Sequence, residues 1–486
     1  MRPSAWPARQ RGFDVTQTQA SAASINPARP SELVGDHRLD TVEDVSRAVK
    51  TAREAQREWA ATPIIDRGAI LRRAAAEIET RTAELGRVLT VEEGKTVSEG
   101  IGEVAKAAQT LYYHASTAWV PQGEIFASSA PDEEIHTRRV PVGVVAAVTP
   151  WNFPAAIPVW KIAPALLWGN AVVWKSASNV PILSQALEEI FHRAGVPAGV
   201  LQLALGPSRL GQALVDADVD AVTFTGSTAV GRRIWQAGTE RGVKVQTELG
   251  GHNAAVVFDD ADLDLAASHV VAGAMASTGQ KCTATRRVIV QAGVFDAFVD
   301  RLQAGVAALR VGNGLDEGVD IGPLVSASAL REVEKAVESA KREGATVAVG
   351  GNSLTGSEFE GGYFFEPTVL TNVVQSMNVA HEEIFGPVLS VIRVADDDEA
   401  ISVANATRYG LSAAAFTVDE RRIRRATNEL EAGLVHINNP TPGSEPHVPF
   451  GGTKESSGQA PAEQGLSARD FFTNSRTVFI RPGKPA

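Results

Sequence analysis

The chain has 486 residues, of which 44% are hydrophobic and 21% charged, and its formal net charge is -11. This composition is typical of a soluble globular protein with two or three domains and a large core. The acidic balance argues against nucleic acid as a partner. The single cysteine excludes a disulfide scaffold, and no apolar run is long enough to cross a membrane, so we expect a cytoplasmic protein with no membrane partner.

The N-terminal part of the chain predicts a polar lead-in followed by helices. Residues 1–24 lack a signal-type apolar stretch, and we interpret them as that lead-in. Thr41 is a typical N-cap before acidic residues, and apolar residues recur at helical spacing over 42–59 and again over 70–85. Both stripes predict core packing rather than binding faces.

Short apolar runs then alternate with helical segments. Five strands are predicted at Val144–Thr149, Ala171–Lys175, Leu201–Leu205, Ala221–Thr225 and Lys244–Glu248. The stretches between them, such as 181–193 and 228–239, have helical patterns, and this alternation predicts a mostly parallel, doubly wound sheet. Ligands bind such sheets at the carboxyl ends of the strands.

A second α/β series begins near Asn253. Its strands are predicted at Ala254–Phe258, Val288–Val290, Thr346–Val349, Val388–Ile392, Leu411–Thr417 and Leu434–Ile437. Glu134–Val140 and Phe471–Ile480 fit neither series and predict edge strands, either within one subunit or paired across subunits. The fold class is therefore α/β, with two doubly wound open-sheet domains and a small extra β element.

Three residues carry the chemistry that we expect. Cys282 follows a predicted helix of the second series, whereas Glu248 ends the last strand of the first, so the two would meet in the cleft between the domains. A lone cysteine is most often a small buried apolar residue. With Glu248 as a carboxylate base and Asn152 as an amide donor, however, it completes the parts needed for acyl chemistry through a thioester.

Residues at other strand ends point to an anionic ligand. Gly226 and Ser227 follow a strand and open a helix, where backbone N–H groups and the helix dipole can bind a pyrophosphate. Their spacing is not that of the usual dinucleotide fingerprint, and a plain strand–turn–helix remains an alternative. Lys175 ends an adjacent strand and could bind ribose hydroxyls, although a lysine there is usually solvated.

Together these segments resemble the aldehyde dehydrogenase superfamily, from about Ser24 to the C-terminus. The motifs that carry the resemblance are Pro150–Pro154, Thr225–Gly231, Glu248–Gly251, Gly279–Cys282, Glu383–Pro387 and Pro449–Gly452. The resemblance implies that Cys282 attacks an aldehyde and that its backbone N–H and the Asn152 amide hold the oxyanion. After hydride transfer to a nicotinamide, Glu248 would activate the water that hydrolyses the thioester.

The resemblance also implies the cofactor contacts. Glu383 would hold the nicotinamide ribose, with Phe385 against the ring and Trp151 on the cofactor side of the cleft. Gly226 and Ser227 would hold the pyrophosphate.

At the adenine end, Lys175 would hold the ribose. Many NAD-preferring relatives carry a glutamate where this chain has Ser178. A neutral hydroxyl there removes the like-charge penalty against a 2′-phosphate and can donate to it, so we expect NADP or NAD as cofactor, with dual use or an NADP preference.

The domain organisation that the family implies has three parts and a homodimer or homotetramer as the assembly. The parts are a dinucleotide-binding domain (25–130 and 142–250), a catalytic domain (251–450) and bridging oligomerisation strands (131–141 and 466–486).

The substrate is the least constrained feature. The segment Gly279–Thr285 closely resembles the subgroup that oxidises 2-oxoglutarate semialdehyde, which is close to the succinate-semialdehyde dehydrogenases. Lys281 and Arg286 could hold a substrate carboxylate or lower the pKa of Cys282, or could simply face outward. By family analogy the aldehyde tunnel is lined by Tyr113, Ile157 and Trp160.

Four alternatives stay open. An apolar tunnel would also admit neutral aromatic or aliphatic aldehydes. A CoA-acylating relative is disfavoured by Glu248, because that chemistry needs no water-activating carboxylate. A non-catalytic binding or structural paralogue is disfavoured by the intact set of catalytic residues. A metal enzyme is disfavoured because the nine histidines are scattered without ligand spacing, and we expect no metal site.

Overall fold

The computed structural model describes residues 20–483. Most of the predicted lead-in and the last three residues of the chain lie outside this range. The α-helices are α1 (Val42–Ala61), α2 (Ile64–Thr80), α3 (Thr82–Glu93), α4 (Val97–Ser116), α5 (Ala156–Leu167), α6 (Pro181–Ala194), α7 (Ser208–Asp216), α8 (Thr228–Glu240), α9 (Leu263–Met275), α10 (Phe295–Ala307), α11 (Ala327–Glu343), α12 (Asp397–Asn405), α13 (Glu420–Glu429) and α14 (Ser467–Phe472).

The strands in the same range belong to two large sheets, one parallel and one mostly parallel, and three small antiparallel ones. They are β1 (Ser21–Asn26), β2 (Arg29–Arg38), β3 (Ile125–Phe126), β4 (Glu134–Pro141), β5 (Val144–Val148), β6 (Ala171–Lys175), β7 (Leu201–Ala204), β8 (Ala221–Thr225), β9 (Lys244–Glu248), β10 (Asn253–Val257), β11 (Thr285–Gln291), β12 (Thr346–Val349), β13 (Thr368–Thr371), β14 (Val388–Val394), β15 (Tyr409–Gly410), β16 (Ser412–Phe416), β17 (Leu434–Ile437), β18 (Thr453–Lys454) and β19 (Thr473–Ile480).

Strands β5 to β9 form a five-stranded parallel sheet in the order β7-β6-β5-β8-β9. The sequence predicts all five, because they are short runs that alternate with helices, and β5, β6 and β8 are largely apolar and buried, although β9 carries polar residues. The strand order reverses beside β5, and ligands bind next to such a switch point at the carboxyl ends of the strands. Asn152 follows β5 and Gly226 follows β8, so the fold brings both candidate segments to this edge.

The second large sheet has seven strands in the order β12-β13-β14-β11-β10-β16-β17, with β12 antiparallel to β13 and the other pairs parallel. Six of these strands are predicted, and β13 is missed. Its four residues follow directly after Pro367 in a turn-rich stretch, so the apolar run is too short to stand out. Cys282 lies between α9 and β11, on the side of this sheet that faces the first one.

A small antiparallel sheet, β19-β4-β3, joins two distant parts of the chain. Residues Thr473 to Ile480 pair with Pro141 to Glu134, so the two predicted edge strands are partners within one chain. The prediction placed the start of the second strand at Phe471, but Phe471 and Phe472 end helix α14 and are buried in the core. The sheet leaves apolar side chains such as Ile125 and Phe479 exposed.

Two features near the N-terminus differ from the prediction. A hairpin, β1-β2, begins at Ser21, inside the segment 1–24 that the sequence predicts as a lead-in. The second helical stripe spans two helices, α2 and α3, because the first helix ends before Arg81 and a new one begins after it. Helix α1 begins as predicted, with a capping box between Thr41 and Asp44. No helix within residues 20–483 combines the length and apolar character needed to cross a membrane.

Candidate active site

A cavity of about 370 Å³ opens between the two large sheets, and residues from both sides line it. Helix α5 contributes Ile157 and Trp160, and β9 contributes Glu248 at its end. The facing side contributes Lys281 and Cys282. The nucleophile and the base predicted from different domains therefore share one cavity.

The segment before Cys282 is held in an unusual backbone conformation. Ser277 and Thr278 have φ angles of 52° and 56°, values that side chains with a Cβ rarely adopt. Gly279 continues the turn with a φ of 65°, and a Cβ there would lie 2.1 Å from the carbonyl oxygen of Gly386. The glycine of this motif is therefore required by close packing of two backbone segments.

The thiol of Cys282 is protonated in the resting site. Burial raises its pKa to about 12, and the negative charges of Glu383 and Glu248 act in the same direction. Arg286 opposes the shift. The thiol must therefore lose its proton before it attacks a carbonyl carbon, because the thiolate is the nucleophile.

Glu248 is 4% exposed and faces an ion pair that the sequence did not reveal. Burial raises its pKa well above the usual range, and the charge of Glu463 adds to this shift. Lys161 pairs with Glu463 and also donates to the Thr223 hydroxyl at 2.9 Å. Lys161 stands alone in an otherwise apolar, buried helix, and that signal could have identified it from the sequence.

The Asn152 side chain reaches the segment that carries the nucleophile. Its Nδ2 atom donates to the carbonyl oxygen of Gln280 at 3.0 Å, so Asn152 and Cys282 come together as predicted. The carbonyl oxygen of Asn152 accepts from the Lys95 ammonium at 2.8 Å, and Lys95 pairs with Glu103 at 2.7 Å. Lys95 and Glu103 were not predicted, because they lie far from Asn152 in the sequence.

Glu103 also fixes the start of helix α5. Its Oε1 atom accepts from the backbone N–H groups of Ala155 and Ala156 at 2.8 and 3.2 Å. These N–H groups have no intrahelical partner, and a carboxylate there is favoured by the helix dipole. One buried ion pair thus holds both the Asn152 loop and the helix that carries the apolar wall of the cavity.

At the predicted nicotinamide end, Glu383 and two aromatic rings lie together. Burial raises the pKa of Glu383 to about 7, and its Oε1 atom has no hydrogen-bond partner among the described residues. A Cβ at Gly250 would lie 2.3 Å from Glu383 Oε2, which explains the glycine beside the carboxylate. Trp151 and Phe385 meet edge to face, with ring centroids 5.7 Å apart.

The turn after β8 leaves polar groups without partners. Gly226 and Ser227 precede helix α8, and the Ser227 side chain makes no capping hydrogen bond. The buried hydroxyls of Thr225 and Thr228 have no partner among residues 20–483. Free N–H groups and hydroxyls at a helix N-terminus suit a pyrophosphate.

The two residues predicted at the adenine end differ in whether their polar groups already have partners. Lys175 is 6% exposed, and burial lowers its pKa to about 8. No described residue pairs with its ammonium, so ribose hydroxyls would satisfy it. The Ser178 hydroxyl already donates to the Gly206 carbonyl at 2.9 Å, so its predicted donation to a 2′-phosphate requires that bond to open. The orphaned groups of this cleft therefore fit a dinucleotide along its whole length.

Some of the residues predicted to contact the substrate line the cavity and others do not. Ile157, Trp160 and Lys281 line the cavity as predicted, whereas Tyr113 is not among the lining residues and packs near His447, with ring centroids 6.4 Å apart. Within residues 20–483, no cluster of three or more histidine, cysteine or acidic side chains could hold a metal ion.

The predicted substrate role of Arg286 is corrected. The side chain is 2% exposed and does not line the cavity. Its guanidinium donates to the carbonyl oxygens of Gly386 and Lys281, both at 3.0 Å, and lies 5.5 Å from the centre of the Phe385 ring. Arg286 therefore supports the cofactor side from behind the nucleophile, because these bonds keep it out of the substrate space.

Comparison with known proteins agrees with this geometry. Residues 15–478 match the model of the aldehyde dehydrogenase family. Alpha-ketoglutaric semialdehyde dehydrogenase from Bacillus subtilis is 44% identical over 459 residues, 94% of each chain. Alpha-ketoglutarate semialdehyde dehydrogenase from Haloferax volcanii is 43% identical over 467 residues, 96% of each chain.

A solved structure extends the likeness to the fold. The betaine aldehyde dehydrogenase of Staphylococcus aureus, in complex with NAD+, superimposes with a TM-score of 0.92 at 34% identity, covering 95% of this chain and 91% of that one. The family model matches nearly the whole chain, and two relatives are more than 40% identical to it, so the comparisons establish the family. The chain belongs to the aldehyde dehydrogenase family of oxidoreductases.

Proposed function

We propose that this protein oxidises an aldehyde to a carboxylic acid with NAD or NADP, through a thiohemiacetal and a thioester on Cys282. The observation that carries the proposal is the shared cavity: Cys282 and Glu248 both line it, and the Asn152 amide is hydrogen-bonded beside the nucleophile. A thiol, a carboxylate and an amide donor are the groups that this chemistry requires.

In the first step, the Cys282 sulfur forms a bond to the aldehyde carbon. The oxygen that gains negative charge is held by the second N–H of the Asn152 amide and by the backbone N–H of Cys282. The thiol proton passes to water as the sulfur–carbon bond forms, so Glu248 stays available as the base of the second step. When bound, the dinucleotide supplies the hydride acceptor.

In the second step, water attacks the thioester carbon. Glu248 takes a proton from the water, a carbon–oxygen bond forms, and the carbon–sulfur bond breaks to release the Cys282 thiolate and the acid. Burial raises the pKa of Glu248, which makes its carboxylate a stronger base than an exposed one, and the charge of Lys161 opposes this rise.

The substrate we favour is a short aldehyde with a carboxylate, such as 2-oxoglutarate semialdehyde, the class named in two relatives. Three lysines line the cavity. Lys95 is paired with Glu103, and Lys106 with Glu445 at 3.0 Å. Lys281 has no ion pair or hydrogen bond from its ammonium among residues 20–483, so it is the cation that a substrate carboxylate would meet.

A second candidate is oxidation of neutral aldehydes. Ile157, Trp160 and Phe450 form a continuous apolar wall of the same cavity. Burial also lowers the pKa of Lys281, which weakens the hold of this side chain on its positive charge. An aromatic or aliphatic aldehyde would use this wall without needing the cation.

For the cofactor we propose dual use of NAD and NADP. The relative from Staphylococcus aureus was solved with NAD+, and the burial of Lys175 without a partner among the described residues supports a contact from its ammonium to the adenine ribose of either dinucleotide. Ser178 carries no charge that would repel a 2′-phosphate, although its hydroxyl is engaged with Gly206.

We further propose a homodimer or homotetramer that forms through the β19-β4-β3 sheet, with the domain bounds given above. Ile125 is 83% exposed and Phe479 is 64% exposed on this sheet, and such side chains mark association surfaces. The compartment we propose is reducing, as in the cytoplasm, because Cys282 must remain a free thiol.

The test is NAD(P)H formation with purified protein, run with NAD and NADP in parallel. The substrates are 2-oxoglutarate semialdehyde, succinate semialdehyde, benzaldehyde and hexanal, with Cys282→Ala as the control. We expect the carboxylated aldehydes to exceed the neutral ones in kcat/KM by about tenfold or more, which corresponds to about 1.4 kcal/mol. A preference for the neutral aldehydes would support the second candidate, and no activity with any would refute the proposal.

A further inference from the structure

Ser457 occupies an unusual position beside the proposed general base. Its hydroxyl donates to Glu248 Oε2 at 2.6 Å and accepts from the backbone N–H of Gly452, also at 2.6 Å. Among residues 20–483, this serine is the hydrogen-bond donor to the Glu248 carboxylate, and the other carboxylate oxygen, Oε1, has none. One oxygen of the base is therefore held, and one is left for the cavity.

The serine is itself fixed by the backbone around it. The segment 456–458 runs antiparallel beside the end of strand β9. Leu249 donates to the Ser456 carbonyl at 2.7 Å, and Gly458 donates to the Thr247 carbonyl at 2.9 Å. These bonds flank Ser457 on both sides, so the position of its hydroxyl relative to Glu248 is set by main-chain pairing rather than by a mobile loop.

The geometry points to a positioning role: we propose that Ser457 holds Glu248 Oε2 so that Oε1 faces the thioester and receives the proton of the attacking water. This inference rests on the proposed function, because it concerns the base of that reaction. Without the Ser457 hydroxyl, the Glu248 carboxylate would have no donor to prevent rotation about its side-chain bonds. A hydrogen bond to an ionised group is strong enough to select one orientation.

The role is confined to one half of the reaction. Carbon–sulfur bond formation and hydride loss leave Cys282 as a thioester before the water is activated. Removal of the Ser457 hydroxyl should therefore slow hydrolysis of the thioester and leave hydride transfer nearly unchanged. A serine that merely supported the fold would affect both steps alike.

The experiment mixes enzyme and excess NAD with one equivalent of 2-oxoglutarate semialdehyde. NADH absorbance gives the rate of the first hydride transfer, and acid quenching with intact-mass measurement gives the lifetime of the acyl group on Cys282. The variants are Ser457→Ala and the pair Ser457→Thr and Ser457→Val. The matched control is Ser339→Ala, which removes another serine that donates to a glutamate, Glu343 at 3.0 Å, in helix α11.

For Ser457→Ala we expect a thioester lifetime about tenfold longer and a hydride-transfer rate within about twofold of the wild type, as for loss of one charge-assisted hydrogen bond. Ser457→Thr should restore the short lifetime, and Ser457→Val should not. Threonine and valine have one shape, so this pair gives the same comparison if the alanine variant does not fold.

Two results would overturn the inference. One is a thioester lifetime that does not change when the hydroxyl is lost, and the other is a fall in hydride transfer by the same factor as hydrolysis. A wild type that forms no NADH with any aldehyde would remove the proposed function itself, and that result is distinct from both, since the variants need not be measured to obtain it.

Discussion

The pH dependence of NAD binding gives a direct test of the cofactor cleft. Burial raises the pKa of Glu383 to about 7 and lowers that of Lys175 to about 8. The ribose hydroxyls of NAD are donors to an ionised carboxylate, whereas a charged ammonium donates to the hydroxyl oxygens. The binding-competent enzyme therefore has Glu383 deprotonated and Lys175 protonated, which occurs together only between the two pKa values.

The magnitude follows from the two pKa values. One pH unit below the pKa of Glu383, only about a tenth of the enzyme carries the carboxylate, so the dissociation constant should rise about tenfold, or about 1.4 kcal/mol. One unit above the pKa of Lys175, loss of the proton should cost about the same factor. The affinity for NAD should therefore peak between about pH 7 and pH 8 and fall on both sides.

Isothermal titration calorimetry of NAD across this range measures both limbs, and NAD itself carries no 2′-phosphate to titrate. Glu383→Gln should remove the acidic limb, because the amide does not ionise. Lys175→Arg should remove the alkaline limb, because a guanidinium stays charged. An affinity that is flat with pH in the wild type, or an acidic limb that survives in Glu383→Gln, would refute the reasoning.

Three further predictions concern other parts of the site. Glu103→Gln removes the nearer of the two buried carboxylates beside Lys95 and leaves Glu93 at 3.8 Å, so the free energy of unfolding in urea should fall by about 3 kcal/mol, and an unchanged midpoint would contradict the ion pair. Gly250→Ala displaces the Glu383 carboxylate, which lies 2.3 Å from the new Cβ, so the KM for NAD should rise about tenfold with little change in the melting temperature. Lys281→Met should lower kcat/KM about tenfold for carboxylated aldehydes and leave neutral ones nearly unchanged; equal loss for both would exclude a charge-specific role.

The parallel sheets could be predicted because their signal is local. Buried parallel strands are apolar runs between helices, and β5, β6 and β8 of the first sheet come near to this form. Strand β13 and the hairpin β1-β2 lack it: the first has four residues, and the second is largely exposed and polar. Such elements are stabilised by pairing with other segments of the chain, and the local sequence pattern does not indicate those partners.

The catalytic residues could be identified because each lies in a short motif, whereas their supports could not. Ser457 meets Glu248 across 209 residues, and Lys161 meets Glu463 across 302. Lys95 reaches the Asn152 carbonyl across 57 residues. A serine or lysine carries no sign of its distant partner, so only folding reveals which of many polar residues hold the base and the amide.

The position of Arg286 separates the two roles that the sequence left open for the basic residues near the nucleophile. Arg286 lies in strand β11, where all seven side chains are buried, whereas Lys281 lies in the turn before it. The Arg286 guanidinium is held by two carbonyl oxygens. Its positive charge opposes the rise that burial causes in the pKa of Cys282 and of Glu383.

This separation has a chemical consequence. A cation that both activated the thiol and bound the substrate would be neutralised by an anionic aldehyde at the moment when the thiolate is needed, because a carboxylate in contact would cancel its field. With Arg286 buried and Lys281 exposed to the cavity, the charge that favours the thiolate stays the same whichever aldehyde is bound. Substrate preference can then change at position 281 without loss of nucleophilicity, which is why Lys281→Met should retain activity on neutral aldehydes.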